Sequence, residues 1–385
     1  MTTIKLVAEA QSPIIINEER QSANNNSLAY IPGSSLRGSL ASAYLREGGS
    51  AEDTRFKALF IENAPAIPNL IPAHSKSDFP RLLPFTTVSC KRNPGFAHED
   101  NHGVCDILAS LARSRIKDEL PSQSLWSCSA ESCDEELRPI TGFWNGDYSA
   151  PRRCEPSMSY NRFTGIDRLT RTVARSILFS SRSIDDLYQH DKLDATDKYH
   201  RQYFSGVTCM DAETLATIRQ LAQGTLFVGA DKTRGFGEIK LNIEDITTGH
   251  PDYDGWDLAF REKLQLKEPP GYYFSICLAS HAILVDRFLR PSHDLDLDID
   301  QIELVLKMAK KVTIRGWQAA WGLPKPDDTG VMMGSVYLFR YTGSDTETLK
   351  NRLSQLSQEG VGLRREEGFG MVMIDDQLHS IKEVV

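Results

Sequence analysis

Thiol and imidazole side chains crowd the stretch from residue 90 to residue 133, in a pattern that suits a metal ion. Structural zinc takes four nitrogen or sulfur ligands, often from short chain segments. We expect Cys90, and Cys128 and Cys133 from a C-x4-C pair, to supply three of them. The fourth ligand is His102 or Cys105. A set of unrelated free thiols is the alternative.

Two glycine-rich segments share one pattern: GADKTRGFG starts at residue 229 and GLRREEGFG at residue 362. Neither is a P-loop or a dinucleotide fingerprint, because each precedes a strand and does not open a helix. Such loops can offer backbone N–H groups and basic side chains to phosphate. Alternatively, the glycines are there only because a hairpin needs residues with a positive φ. The candidate contacts are Gly229, Lys232, Arg234, Gly235, Gly237, Gly362, Arg364, Arg365 and Gly368.

Arginines are concentrated between Tyr160 and Arg182, a stretch with five of them and a single acid, Asp167. The chain as a whole carries a net charge of −8, which argues against a generic nucleic-acid coat. A local basic surface on an acidic protein indicates selective contact with a polyanion, although a solvated face is the alternative. The candidate contacts here are Tyr160, Arg162, Arg168 and Arg171, with the tyrosine placed to stack on a base.

The stretch IPGSSLRGSLASAYL, residues 31–45, predicts a helix with an arginine in its first turn. Ser34 or Ser35 can cap such a helix, and apolar residues recur in it at helical spacing. Because the helix dipole favours an acid in the first turn, Arg37 suggests that an anion binds there. Ser34, Ser35 and Arg37 are therefore candidate phosphate contacts.

Length and composition are those of a soluble globular protein, with 385 residues, 40% hydrophobic and 25% charged. No apolar run approaches the ~20 residues that a bilayer span needs, and the N-terminus shows no secretory signal. Seven cysteines without a disulfide pattern fit a reducing compartment, so we expect a cytoplasmic protein.

Strand, helix, glycine-rich loop and strand recur in two halves, which predicts an α+β fold. We expect tandem ferredoxin-like (RRM-like) domains over 1–245 and 271–385, joined by a linker at 246–270. The first contains an irregular, Cys-rich, zinc-binding insertion at about 60–155. Helices are expected after Asp211, after Asp345 or Thr346, and over IELVLKMAKK. The acidic HDLDLDID stretch suggests an edge strand or a protein-facing loop.

The order of these motifs resembles that of the RAMP superfamily of CRISPR-associated proteins. The resemblance lies in YIPGSSLRGSLA, then NRFTGIDRLTRTVARSILFSSR, then a G-x-x-K-x-R-G-F-G loop. The segments RGWQAAWGLPKPDDTGVMMGSVYLFR and EGVGLRREEGFGMVMI resemble the large RAMP (Csx-ten family) subunit of type III-D effector complexes. The family pattern around HGVCD favours His102 over Cys105 as the fourth metal ligand.

The resemblance implies RRM-like domains and a non-catalytic, crRNA-binding structural subunit of a type III effector ribonucleoprotein. Such a subunit holds the 5′ handle end of the guide. Its partners would be crRNA, target RNA, the large polymerase-like subunit and the first backbone RAMP subunit. The basic residues named above would then follow one RNA path.

The alternative is a RAMP endoribonuclease that cleaves target RNA or processes guide RNA. Relatives that cut target RNA carry an aspartate before the IPGSSLRG motif, whereas here no aspartate precedes Asp53 and the loop offers Glu18 and Glu19. Guide-processing relatives use an N-terminal histidine as general base, and the first histidine here is His74. We therefore expect no catalysis, and Glu18 or Glu19 is where that expectation would fail.

Overall fold

A computed structural model describes residues 1–17, 24–62, 64–189, 199–247, 249, 251–266, 271–318 and 321–381. The chain divides into two compact units, Met1–Phe79 with Cys154–Thr247, and Pro80–Arg153 with Thr248–Val385. Most of the segment predicted as an insertion into the N-terminal domain thus belongs with the C-terminal half. In the described residues, no helix is long and apolar enough to cross a bilayer.

The described helices are α1 (Gly33–Arg46), α2 (Thr54–Phe60), α3 (Leu108–Lys117), α4 (Ala212–Leu221), α5 (Tyr253–Leu264) and α6 (Thr346–Glu359). The first twelve strands are β1 (Thr2–Ala10), β2 (Asn24–Asn26), β3 (Ile71–Ala73), β4 (Arg81–Leu82), β5 (Thr87–Cys90), β6 (Val104–Asp106), β7 (Leu137–Pro139), β8 (Phe143–Asn145), β9 (Arg152–Cys154), β10 (Met158–Ile166), β11 (Val173–Ile184) and β12 (Leu187–Gln189). The others are β13 (Tyr199–Arg201), β14 (Tyr203–Met210), β15 (Leu226–Phe227), β16 (Glu238–Asp245), β17 (Tyr272–Leu278), β18 (Ile302–Met308), β19 (Lys311–Ile314), β20 (Trp317–Gln318), β21 (Leu323–Pro324), β22 (Asp328–Val331), β23 (Val336–Tyr341) and β24 (Val372–Ile374).

The main sheet of the first unit has the strand order β15-β16-β1-β14-β3. β1 pairs antiparallel with β14 and β16, and β14 pairs antiparallel with β3. Alternate side chains of β1, such as Ile4 and Leu6, share a core with α1, α2 and α4. Helix α4 begins after Asp211, whose carboxylate accepts the backbone N–H groups of Glu213 and Thr214, as the sequence predicted.

The sheet face opposite to this core is covered by the chain segment that contains Lys76, Asp78 and Phe79. Lys5 is fully buried, donates to the Lys76 carbonyl at 2.5 Å and lies 4.1 Å from the centroid of the Phe79 ring. Ser205 donates to the Asp78 carbonyl at 3.3 Å. Burial lowers the pKa of Lys5 because it penalises the ammonium form. The centre of this face is thus closed to solvent.

The main sheet of the second unit has the order β18-β23-β17-β24, and helices cover both of its faces. Leu349, Leu353 and Leu356 of α6 pack on one face. Helices α3 and α5 pack on the other, where Trp256 and Phe260 reach the core. Because α5 contributes these side chains, the segment predicted as a linker contains a core helix.

IELVLKMAKK, predicted as a helix, instead forms β18, which is a correction to the sequence interpretation. Pairing with β23, from Ile302 opposite Tyr341 to Met308 opposite Val336, supplies hydrogen bonds along one side of its backbone. The sheet therefore decides the conformation of a short apolar run whose periodicity is ambiguous.

The two glycine-rich loops have the same backbone. Each contains a short 3-10 turn, and φ is positive at matching glycines, namely Gly229, Gly235 and Gly237 in the first and Gly362, Gly368 and Gly370 in the second. The hydrogen bonds also match, since Gly237 donates to the Pro13 carbonyl and Gly370 to the His281 carbonyl, both at 2.8 Å. The internal repeat expected from the sequence is present in the backbone of these loops.

A buried ion pair ties the C-terminal segment to β6. His379 Nδ1 lies 3.0 Å from Asp106 Oδ2, and neither side chain is exposed. Burial alone would disfavour both charges, but the opposite charge of the partner raises the pKa of His379 and lowers the pKa of Asp106. The hydroxyl of Thr86 also donates to Asp106.

Replacing Gly237 by alanine is expected to destabilise the protein by at least about 2 kcal/mol. Its φ is +86°, and a Cβ would lie 2.1 Å from the Val228 carbonyl oxygen. The matched control is Gly38→Ala, since nothing lies within 4 Å of a Cβ on this exposed helical glycine. That control should gain about 0.5–1 kcal/mol. Denaturant unfolding measures both, and equal stability of the two variants would contradict the account.

The Asp106–His379 pair predicts a pH-dependent difference in stability between the wild type and His379→Gln. The raised pKa of His379 stabilises the fold fully at pH values below the pKa of the unfolded state, about 6.5, and this stabilisation is lost as the pH rises through the pKa of the folded state. The lowered pKa of Asp106 stabilises the fold above about pH 3.8, and this stabilisation is lost on acidification. The difference in melting temperature should therefore be largest between about pH 4 and 6.5. A difference that does not change with pH would contradict the account.

Candidate nucleic-acid interface and metal cluster

Strands β10 and β11 form a long antiparallel hairpin, and β2 pairs parallel with β11. The carboxylate of Asp167 shapes its turn by accepting the N–H groups of Leu169 at 2.8 Å and Thr170 at 3.0 Å. These hydrogen bonds lower the pKa of Asp167. The only acid of the basic stretch is thus engaged in the turn.

One face of this hairpin is exposed and basic. Along β10, the exposed Tyr160 and Arg162 alternate with partly buried neighbours, and Tyr160 is 71% exposed. Arg182 pairs opposite Tyr160, with its guanidinium 5.9 Å from the ring centroid. Arg168 and Arg171 are exposed in the turn, where Arg171 has a φ of +55°. The structure therefore brings the four candidates from this stretch together on one hairpin.

The first glycine-rich loop contacts the opposite face of the hairpin through Phe163. The Arg234 guanidinium lies 5.6 Å from the centroid of the Phe163 ring, which also packs against Phe236. Lys232 lies in the same loop, and burial together with the charge of Arg46 lowers its pKa. The loop therefore lies on the side of the hairpin opposite to the exposed face that carries Tyr160 and Arg162.

Two basic residues of these elements, Arg46 and Arg182, were not among the sequence candidates. Arg182 lies on the exposed hairpin face because the register sets it opposite Tyr160, whereas Arg46 lies at the end of α1, near Lys232 of the loop. Arg182 was visible in the arginine count of the sequence. Only strand pairing assigns it a face.

The backbone N–H groups of the loop glycines are used within the chain. Gly235 donates to the Lys232 carbonyl at 3.2 Å, Gly368 to the Arg365 carbonyl at 2.9 Å, and Gly237 to Pro13 as described above. The expectation that these amides are free for phosphate is wrong for these three glycines. All three have a positive φ, and Gly237 also lies in close contact with the Val228 carbonyl.

The second glycine-rich loop is neutralised by its own neighbours. Arg364 binds Glu367 at 2.8 Å and Asp328 at 2.5 Å, and Lys325 binds Glu367 at 2.8 Å. Although burial favours the neutral acid, these cations lower the pKa of Glu367 to about 2. Arg364 occupies the place of Asp231 in the first loop, so the two loops are not matched in charge. Arg365 remains exposed.

Helix α1 begins at Gly33 and has no side-chain cap, so the prediction that Ser34 or Ser35 caps it is wrong. Asn69 Oδ1 accepts the Gly33 N–H at 3.0 Å instead. The half-buried Arg37 donates from Nη2 to the Phe60 carbonyl at the end of α2. The negative end of the α2 dipole favours a cation, which gives Arg37 a structural role within the chain.

Cys90, His102, Cys128 and Cys133 form a compact cluster in the second unit, with ligand atoms all within 4.8 Å of one another. The Cys90 and Cys133 sulfurs are 3.7 Å apart, and Cys128 Sγ lies 3.5 Å from His102 Nδ1. Ligands of a tetrahedral zinc are separated by about 3.8 Å for two sulfurs and about 3.5 Å for sulfur and nitrogen. A disulfide needs about 2.05 Å. The cluster can therefore hold a tetrahedral metal ion.

Cys105 is not part of this cluster, which corrects its place among the candidate ligands. It lies on β6 opposite Val88, and burial raises the pKa of its thiol to about 11. Burial also opposes the Cys90 thiolate, but amide N–H groups of Asn93 and Arg92, with Cys133 and His102, lower the pKa of Cys90 to about 7. A low thiol pKa favours metal ligation at Cys90, but burial raises the pKa of Cys128 to about 11 as well, so the position of Cys105 and not its pKa separates it from the cluster.

Solved structures of type III CRISPR complexes contain similar chains. A type III-B Cmr-beta complex bound to cognate target RNA and AMPPnP matches with 12% identity, 96% coverage of both chains and a TM-score of 0.45. The Cmr-beta complex bound to cognate target RNA matches with 12% identity, 96% coverage of both chains and a TM-score of 0.42. The Csm3-Csm4 subcomplex of a type III-A interference complex matches with 13% identity, coverage of 88% of this chain and 92% of that chain, and a TM-score of 0.35.

No curated protein matches the chain. The sequence profile of the RAMP superfamily matches residues 7–240, which is more than half of the chain. These residues include α1, the β10–β11 hairpin and the first glycine-rich loop. The protein therefore belongs to the RAMP superfamily.

Proposed function

We propose that this protein is a non-catalytic, crRNA-binding structural subunit of a cytoplasmic type III CRISPR effector ribonucleoprotein of the III-D kind. The observation that carries the proposal is the exposed face of the β10–β11 hairpin, where Tyr160, Arg162, Arg168 and Arg171 lie with Arg182. Arginines with an exposed tyrosine bind phosphates and stack on bases. The resemblance of the C-terminal motifs to the Csx-ten family supports the III-D subtype.

Both units are proposed to be ferredoxin-like. When the four principal strands of each unit are numbered along the chain, both sheets have the order 4-1-3-2. Their strands pair antiparallel throughout. In the second unit, a loop replaces the helix expected between the first two strands, and α3 and α5 cover that face.

RNA is proposed to follow the hairpin and the first loop of the first unit, because the sheet faces are occupied. Lys5 and Val7 are buried beneath the residues around Phe79, and every residue of β17 is buried. RRM domains that stack bases on the sheet need that face open. The 5′ handle of the guide is assigned to the hairpin surface.

Other subunits of the complex are the proposed protein partners: the large polymerase-like subunit, and the first backbone RAMP subunit, with target RNA paired to the guide. The HDLDLDID stretch supports protein contact. Asp294, Asp296 and Asp298 are exposed, while Leu295 and Leu297 anchor the segment in the core. An acidic ridge repels RNA and suits a basic protein surface.

A structural zinc ion is proposed for the cluster of Cys90, His102, Cys128 and Cys133. Four protein ligands complete a tetrahedral sphere, and such closed sites stabilise folds without doing chemistry. The strands around the cluster have three residues or few more, as in β6 and β7, so a metal would add ordering free energy.

The proposal that the protein lacks catalytic activity rests on the composition of the hairpin surface. Among its described residues there is no histidine, and its acid, Asp167, is engaged in the turn. His74 Nδ1 lies 3.7 Å from Cys154 Sγ, and its ring packs near Tyr188. We therefore do not assign His74 the role of a general base. Glu18 and Glu19 lie outside the described residues.

Removing hairpin charges is expected to weaken binding of single-stranded RNA with a repeat-derived 5′ end. Arg162→Ala and Arg168→Ala should each lower affinity several-fold and reduce the slope of log K against log salt by about 0.7. The charge-matched control, the exposed Arg138→Ala of the second unit, should change neither. Fluorescence anisotropy at several salt concentrations measures both quantities. Unchanged slopes in the hairpin variants would contradict the proposed RNA surface.

The same labelled RNA, incubated with the protein in Mg²⁺ or in EDTA, should remain intact. The reason is that the surface offers electrostatic stabilisers without a general base. Site-specific cleavage that Glu18→Gln or Glu19→Gln abolishes would replace the proposed role with that of an endoribonuclease. Denaturing gel electrophoresis separates the two outcomes.

One equivalent of zinc per chain is expected by elemental analysis of the purified protein. Cys133→Ser should lose the metal and lower the melting temperature by more than about 5 °C, because ligation contributes folding free energy. The matched control is Cys105→Ser, which replaces the neighbouring thiol outside the cluster and should retain the zinc. Retention by the first variant and loss by the second would overturn the ligand set.

A further inference from the structure

Strand β16 forms an edge of the first sheet that is only partly covered. It has eight residues, yet β15 pairs with only two of them, Ile239 and Glu238. Residues 240–245 pair with β1 on one side, and no described strand pairs with them on the other. The backbone of this stretch therefore has unpaired groups along the edge.

The direction of the neighbouring hydrogen bonds identifies the unpaired groups. Gln11 on the β1 side donates to the Glu238 carbonyl at 2.9 Å, whereas Val228 on the β15 side donates to the Gly237 carbonyl at 2.8 Å. Since bonding directions alternate along an antiparallel strand, the N–H and C=O groups of Leu241 and Ile243 point towards the open edge. Those of Asn242 and Glu244 point towards β1.

A groove of about 510 Å³ runs along this edge. Arg219 and the residues after α4, including Gln223 and Thr225, line its other wall. Arg219 binds Asp245 at 2.7 Å near the end of the strand. The side-chain nitrogen of Asn242, also in the lining, is buried without a hydrogen-bond partner among the residues that the structure describes. A buried donor without an acceptor is costly, which points to an acceptor supplied from outside.

The other edges of the two main sheets carry features that discourage strand addition. β18 has a register shift between Leu304 and Leu306, and β3 and β24 have only three residues each. Bulges and short strands protect sheet edges from pairing. The pairing of β16 with β1 shows no such shift over residues 239–245. β16 is thus a long, regular edge beside a groove.

We propose that an extended segment of a neighbouring protein subunit adds to β16 as a further strand, paired through Leu241 and Ile243. Alternating N–H and C=O groups are complementary to a polypeptide backbone, whereas RNA phosphates would require donors alone. Of the two cations that line the groove, Arg219 is already neutralised by Asp245, and Lys240 lies opposite Glu9 of β1. The partner segment carries a carbonyl or carboxylate side chain that accepts from Asn242. That the partner is an effector subunit rests on the proposed function.

Residue-resolved amide hydrogen exchange tests this on the unmodified chain, free and in the reconstituted complex with guide and neighbouring subunits. Exchange at Leu241 and Ile243 should slow on the order of tenfold or more on assembly. The amides of Asn242 and Glu244, already bonded to β1, are internal controls and should not change. Unchanged exchange at all four amides in the assembled complex would overturn the proposal. Protection of Leu241 and Ile243 that grows with the concentration of the free chain would also overturn it, since it indicates pairing with a second copy.

A pair of variants separates this inference from the proposed RNA role. Ile243→Pro removes the outward N–H, which edge strands tolerate, while Ile243→Val keeps it. The amount of partner subunit retained in the purified complex should be at least tenfold lower for Ile243→Pro than for Ile243→Val. RNA affinity of the free chain should stay equal in both. Equal retention of the partner by both variants overturns the strand addition and leaves the RNA proposal standing.

Discussion

Close backbone contact at glycines holds each glycine-rich loop against the segment that follows the first strand of its unit's main sheet. A Cβ on Gly229 would lie 2.1 Å from the Ile15 carbonyl oxygen, and one on Gly362 would lie 2.5 Å from that of Ile283. Only glycine permits this approach together with a positive φ. The 3-10 turn between the glycines is thereby fixed in place, and the direction of its charged side chains follows.

The same backbone carries different charges in the two units. In the first loop, Arg234 reaches the hairpin through Phe163 and lies 3.3 Å from Asp231. In the second, the ion pair across the turn is reversed, and Arg364 is held by Glu367 and Asp328. One copy of the scaffold therefore contacts the hairpin that carries the proposed RNA surface, while the other braces its own unit.

Residue type and spacing were enough to predict the α+β class, the cap at Asp211, a cap at Asp345 or Thr346 of which the structure has Asp345, and the cluster built on Cys90. These features depend on residue types and spacings that can be read directly in the sequence. The place of Arg37 was not predictable, because it depends on where the carbonyl of Phe60 lies. The strand β18 and the neutralisation of Arg364 likewise depend on partners distant in the chain.

The central claim is that RNA lies on the β10–β11 hairpin of the first unit and not on a sheet face. Ultraviolet cross-linking of guide RNA in the assembled complex, mapped by mass spectrometry, tests it most directly. The account predicts cross-links at Tyr160, which is 71% exposed, and along the hairpin turn. Cross-links at Tyr203 or Phe79 on the covered sheet face, with none on the hairpin, would contradict it.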